Sequence, residues 1–135
     1  MSPAVLGGVV FDVAAVVGWA NRANYAQAVV WATADAGNTI VVPATVLAVA
    51  RAHIRTDRLD VLAVLLDLPH TVIPVLHRTS AEQLGGALTG DRDAESLLPA
   101  SHAAHEAVGR DWPCLTGRPE QLRRLDSRVI IDPLP

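Results

Sequence analysis

Two stretches decide the fold, Val9-Val10-Phe11-Asp12 and Thr39-Ile40-Val41-Val42-Pro43. The first is a short apolar run closed by a carboxylate, and the second is β-branched from Thr39 to Val42. Apolar runs without polar alternation read as strands buried on both faces. Between them, residues 24–36 repeat small and apolar groups at helical spacing, and Gly37-Asn38 supplies the stop. Pro43 suits the first turn of a following helix, where its missing N–H costs nothing. That helix is expected to run to about Arg55. Strand, helix, strand, helix is the order of a parallel sheet with crossover connections.

The same alternation continues to the end of the chain. Asp57 and Asp60 have the spacing of a helix cap and its reciprocal partner, opening a helix over residues 59–66. Residues 71–75 read as a third strand. Thr79-Ser80-Ala81-Glu82 has the pattern of a capping box, for a helix ending near Gly85-Gly86 or Gly90. Residues 94–108 are helical and rich in small side chains. A fourth strand over 112–116, a short helix over 119–125 and a fifth strand over 128–131 complete the pattern. The expected fold class is α/β, a three-layer α/β/α sandwich with a five-stranded, mostly parallel sheet. A single domain is expected to span residues 1–135.

Composition narrows the function classes. Half of the 135 residues are apolar and 19% are charged, too apolar for a disordered chain. The longest stretch free of Asp, Glu and Arg covers residues 36–50 and contains Gly37, Asn38 and Pro43. A membrane-spanning helix needs roughly 20 uninterrupted apolar residues, so none is expected. No basic residue precedes Arg22, which argues against a secretory leader. Cys114 is the only cysteine and cannot form an internal bridge, as suits a reducing, cytoplasmic location. The net charge is −3, and all eleven basic residues are arginine. A net-negative, lysine-free domain is poorly suited to non-specific duplex binding, which draws on many phosphate contacts.

Open parallel sheets bind ligands beyond the carboxyl ends of their strands, which directs attention to Asp12, Pro43 and Thr116-Gly117-Arg118. A carboxylate closing an apolar strand is costly unless something pairs with it. Asp12 is a metal ligand or catalytic acid on one reading, and a cap for a helix over residues 13–20 on the other. Spacing alone leaves both open. Gly7-Gly8 precedes its strand, whereas dinucleotide and phosphate loops follow one, and no Walker lysine exists here. No Gly-x-Ser-x-Gly elbow is present. His102 and His105 stand three apart, a spacing that can ligate metal but lacks a zinc-type motif around it. Cys114 reads as a small buried hydrophobe. Arg118, Arg123, Arg124 and Arg128 interleave with Glu120, Asp126 and Asp132, the pattern of a solvated face.

Taken in order, several strings resemble the PIN domain family, in its branch of VapC-like bacterial toxins. They are the strand ending at Asp12, then Val41-Val42-Pro43-Ala44-Thr45-Val46-Leu47-Ala48, then Ser101-His102-Ala103-Ala104. Trp112-Pro113-Cys114-Leu115-Thr116 and the closing Ile131-Asp132-Pro133-Leu134-Pro135 follow. The likeness covers nearly the whole chain. It implies a three-layer α/β/α sandwich, often homodimeric, whose active members are ribonucleases of toxin–antitoxin pairs. Those members hold Mg²⁺ or Mn²⁺ on clustered carboxylates, which activate water at a phosphodiester.

Carried over position by position, the family's acid set is degenerate here. The first acid is Asp12. The second position falls on Val49, the third on Leu97 (or, in a shifted register, Ala100), and the fourth on Arg118. One acid survives and one has become a cation, so no metal cofactor is expected. The resemblance then implies a pseudoenzyme that binds a protein partner, antitoxin-like or regulatory, or RNA held without cutting. The rival expectation is an active Mg²⁺-dependent ribonuclease toxin in which Asp93 or Glu95 helps Asp12. Two further expectations concern contacts. Alanine-rich helices over 24–36 and 43–55, with Trp19, Tyr25 or Trp31 exposed as anchors, would form a homodimer. Arg118 would stand in for the lost metal by pairing with Asp12.

Overall fold

Burial explains why the two diagnostic stretches become central strands. Val9, Val10, Phe11, Ile40, Val41 and Val42 are all buried. They form β1 (Gly8–Phe11) and β2 (Thr39–Val41), paired parallel with Val9 opposite Ile40. The computed structural model describes residues 7–135. Three more strands, β3 (Thr71–Val72), β4 (Cys114–Thr116) and β5 (Ile131–Pro133), complete a five-stranded sheet in the order β3-β2-β1-β4-β5. Every pairing is parallel.

Among the described residues, seven helices cover the sheet: α1 (Val13–Ala20), α2 (Asn24–Asp35), α3 (Ala44–His53), α4 (Leu59–Leu66), α5 (Arg78–Ala87), α6 (Ala94–Arg110) and α7 (Pro119–Leu125). The chain steps from β1 to β2 to β3 in one direction, then returns to β4 and β5 on the other side of β1. Right-handed crossovers therefore lay α1–α4 on one face and α5–α7 on the other. The result is the expected three-layer α/β/α architecture. α3 touches both α1 and α6, bridging the two helical layers. Among the described residues, no helix is long and apolar enough to cross a membrane.

One glycine is dictated by close packing. A Cβ on Gly8 would lie 2.5 Å from the Trp112 ring and 2.7 Å from the Thr39 carbonyl oxygen. Gly37 supplies the positive φ (71°) that ends α2 and turns the chain into β2.

Several local expectations are corrected. Asp57 does not cap α4: residues 56–58 form a 3-10 turn, and Asp57 takes a two-point bond from Arg55 instead. Asp60 accepts only from its neighbour, the Val61 N–H. α5 begins one residue before Thr79, its N-cap is His77, and the His77 N–H donates to Ser80 Oγ at 3.1 Å. Glu82 pairs with Arg78 rather than closing a box with Thr79. The third strand keeps only two of the residues 71–75: the Val42 and Ala44 N–H groups still donate to the Val72 and Pro74 carbonyls, but Pro74 has no N–H to return. The fourth begins at Cys114, since Pro113 contributes only its carbonyl, to the Val10 N–H. The fifth is displaced toward the carboxyl end, because β4 pairs Cys114 with Ile131 and Thr116 with Pro133.

Trp19 is not an exposed anchor. It is 3% exposed, donates its indole N–H to the Val61 carbonyl at 2.7 Å, and meets Trp31 edge-on at 5.7 Å. Tyr25 is partly exposed, but its hydroxyl donates to Asp132 Oδ1 at 2.6 Å. Tyr25 and Trp31 both remain exposed, and among the described residues the Trp31 indole has no hydrogen-bond partner.

Candidate functional site

The strand order places a topological switch point between β1 and β4, where the chain leaves β1 for opposite sides of the sheet. Asp12 closes β1 there, and Gly117-Arg118 follows β4. Asp12 is buried, and its two oxygens are both engaged by backbone amides. Oδ1 accepts from the Ala15 N–H at 2.9 Å, capping α1, and Oδ2 accepts from the Gly117 N–H at 3.2 Å. Burial pushes the Asp12 carboxyl above the usual value of 3.8, against the pull of the Thr116 hydroxyl and of the Ala15, Gly117 and Ala14 amides. The capping reading of Asp12 is the one the hydrogen bonds describe, with a second bond to the β4 turn added.

Around Asp12 lies a cleft of about 500 Å³, at the carboxyl edge of the sheet. Val13, Val17, Val49, Pro99 and Ala100 make its wall largely apolar, with His53, Ser96, Arg118 and Gln121 as the polar members. A second hollow of about 410 Å³ shares Ser96, Arg118 and Gln121, and continues past Leu97 to Asp91, Asp93 and Arg124. The sequence positions thus sort themselves. Asp12, Val49 and Arg118 converge on one cleft. Of the two registers for the third position, Ala100 lines that cleft and Leu97 lines the neighbouring hollow.

The residues present do not fit a divalent ion. Among the described residues Asp12 is the only carboxylate lining the main cleft, its oxygens already accept two amide bonds, and a guanidinium shares the space. Asp93 faces the second hollow, and Glu95 is exposed on the first turn of α6, lining neither. Among the described residues, no three His, Cys, Asp or Glu side chains come together as a metal requires.

The expected pairing of Arg118 with Asp12 is also corrected. No ion pair joins them: Asp12 is satisfied by amides, and the Arg118 side chain is exposed at the cleft rim. The Arg118 backbone N–H is held by Thr116 Oγ1 at 2.8 Å. Arg123 and Arg128 pair with Glu120 and Asp126, as a solvated face would have them. His102 is fully buried, with Nδ1 2.8 Å from Thr45 Oγ1 and Nε2 without a hydrogen-bond partner. Burial pushes its pKa down. Cys114 is buried in β4, and burial pushes its thiol far up, leaving it inert.

Sequence reading missed His53, Ser96 and Gln121, and placed Gly117 at a strand end without giving its amide a role. Gly117 alone carried a signal, a glycine directly after an apolar strand: a Cβ there would lie 2.7 Å from Ala14 Cβ. The other three are set by how α3, α6 and α7 meet, which no local pattern encodes. No known family's sequence profile matches the chain, and no curated protein matches it in sequence.

Proposed function

We propose that this chain is a PIN-like protein of the cytoplasm that works by binding, without metal-dependent hydrolysis of RNA. The observation that carries the reading is the convergence of Asp12, Val49, Ala100 and Arg118 on one switch-point cleft, with a single carboxylate among them. Metal-dependent in-line attack on a phosphodiester needs a metal-bound water fixed by more than one ligand. Val49 and Ala100 offer no oxygen for that purpose, and Arg118 disfavours a cation. The same cleft suits a partner that presents an acidic group to Arg118 over an apolar wall. Such a partner is an antitoxin-like or regulatory protein segment, or an RNA phosphate held without cutting.

The test is Mn²⁺ titration by calorimetry beside an RNA-cleavage assay on the purified protein. The expected result is no saturable Mn²⁺ heat and no cleavage above background. Cleavage that Mg²⁺ or Mn²⁺ supports and Asp12→Ala abolishes would favour the ribonuclease-toxin reading, with Asp93 or Glu95 recruited by movement of the α6 N-terminus.

A further inference from the structure

Resting on the binding reading of the switch-point cleft, we infer that the cleft and the hollow beside it form one site for a small zwitterion. Its chemistry is an ammonium and a carboxylate on an apolar body, that of a free apolar α-amino acid. The two spaces, of about 500 and 410 Å³, share Ser96, Arg118 and Gln121. Both are of a size that takes a small molecule, and they lie where open parallel sheets place such ligands. The hollow carries charges of both signs that do not meet. Arg118 faces it from the end of β4 and Arg124 from α7, while Asp91 and Asp93 face it from the turn before α6. Among the described residues, none of these four is in an ion pair. Their neighbours do pair, Arg123 with Glu120 and Arg128 with Asp126. The turn that carries the two acids is tied in place. The Asp93 N–H donates to Asp91 Oδ1 at 2.8 Å, and Ser96 Oγ donates to the Asp93 carbonyl at 3.0 Å.

Charge selects the occupant of the hollow. Two guanidiniums repel a cation, and a polyanion would set its next phosphate against Asp91 and Asp93. A wholly apolar ligand leaves all four charges to water. A zwitterion satisfies both signs: its carboxylate takes the guanidinium forks, and its ammonium takes the aspartates. Arg118, common to both spaces, sets the carboxylate at their junction. The apolar side chain of the ligand then covers Val49, Pro99 and Ala100 in the adjoining cleft. A residue inside a protein chain has lost both backbone charges to its peptide bonds, so a free amino acid fits where an internal segment does not.

The experiment is titration calorimetry of the full chain with L-leucine and with L-phenylalanine, with far-ultraviolet circular dichroism to verify folding of each variant. A saturable heat with a Kd of about 1 mM or tighter is expected from at least one of them. The amide and the N-acetyl form of that amino acid each lack one charge, and are expected to bind roughly tenfold more weakly. Asp93→Asn and Arg124→Gln alter exposed side chains that line the hollow and leave the cleft as it is. Each is expected to weaken the amino acid by roughly tenfold. Asp93→Asn should also erase the preference over the N-acetyl form, and Arg124→Gln the preference over the amide. No saturable heat from either amino acid overturns the inference. So does an N-acetyl form bound as tightly as its parent, since the site then reads the anion alone, and so does binding indifferent to either variant. The two readings fail separately. Metal-supported RNA cleavage removes the binding reading, whereas a chain that neither cleaves RNA nor takes up either amino acid keeps that reading and loses this ligand.

Discussion

At the residue scale, Asp12 and His102 are two buried ionisable groups held by different means, and their pH responses differ in sign. Asp12 is stabilised by amides: it caps α1 through Ala15 and ties the β4 turn through Gly117. Asp12→Ala removes the cap and orphans the Gly117 N–H, and is expected to cost about 2 kcal/mol in chemical denaturation. Because burial raises its native pKa above 3.8, the native state holds the proton to higher pH than the unfolded chain. Its linked contribution is complete below 3.8 and is lost as pH rises through the native value. The native chain should therefore gain stability relative to Asp12→Asn as pH falls from neutrality toward 3.8. A difference that stays flat over that window would contradict this. His102 works in the opposite direction. Burial lowers its native pKa below 6.5, with the Glu106 charge opposing and His105 adding to the shift. Above 6.5 both states are neutral; below it the unfolded chain takes the proton first, and stability falls with pH until the native value is passed. The slope from this one group reaches at most about 1.4 kcal/mol per pH unit. His102→Leu removes the unpartnered Nε2 but also the partner of the Thr45 hydroxyl, and is expected to flatten the acid limb at a cost of about 1–2 kcal/mol at neutral pH. Denaturant midpoints measured across the acid range for both proteins check this.

At the element scale, legibility followed whether an element carries its own chemical stop. Pro119 opens α7, and the helix covers the residues expected from sequence, Pro119–Leu125. Asp12 closes β1, and Gly37 with its positive φ ends α2. The edge strands β3 and β5 are marked less plainly. β3 loses its ladder where Pro74 has no N–H to give, and β5 takes the register that β4 offers, so a run of β-branched residues such as Thr71-Val72-Ile73 overstates the strand. The cap expected at Asp57 failed for a related reason, since a neighbouring arginine offered its carboxylate two stronger bonds than a helix amide does. Gly117 is the position where the elements of the site lock together. Gly117→Ala drives a methyl to 2.7 Å from Ala14 Cβ, so α1 and the β4 turn must part and the Asp12–Gly117 bond must lengthen. The expected cost is about 1–3 kcal/mol. Ala14→Gly on that background opens the space and should recover much of the loss, which a double-mutant cycle measures as coupling. Additive effects would mean that the two elements do not bear on each other here.

At the scale of the whole molecule, the sheet order makes the site, and the site tests the resemblance. With β1 central and β4 beside it, Asp12 and Arg118 reach one edge, and α3 brings Val49 there; that these three residues share a cleft was thus legible from strand ends and one helix. The third acid position was not, because Leu97 and Ala100 are three residues apart on one helix, and only the packing of α6 decides which of them faces Asp12. If the cleft descends from a metal site, restoring carboxylates should restore metal binding. Val49→Glu, Ala100→Asp and Arg118→Asp together surround Asp12 with three added acids in the same cleft. Without metal those like charges repel one another, so the triple variant is expected to melt below the native protein. Mn²⁺ should then raise its melting temperature in a concentration-dependent way, by about 2.7 kcal/mol of linked stability at a hundredfold excess over Kd. The native protein, whose Arg118 and Val49 occupy those positions, is expected to show no such rise. A companion variant carrying Leu97→Asp in place of Ala100→Asp should respond more weakly, because Leu97 lines the adjoining hollow. An equal response from the two would place the third position at Leu97 as readily as at Ala100. No response from either would mean that the four positions do not form a cation site, and the resemblance would then describe the order of the elements without their chemistry.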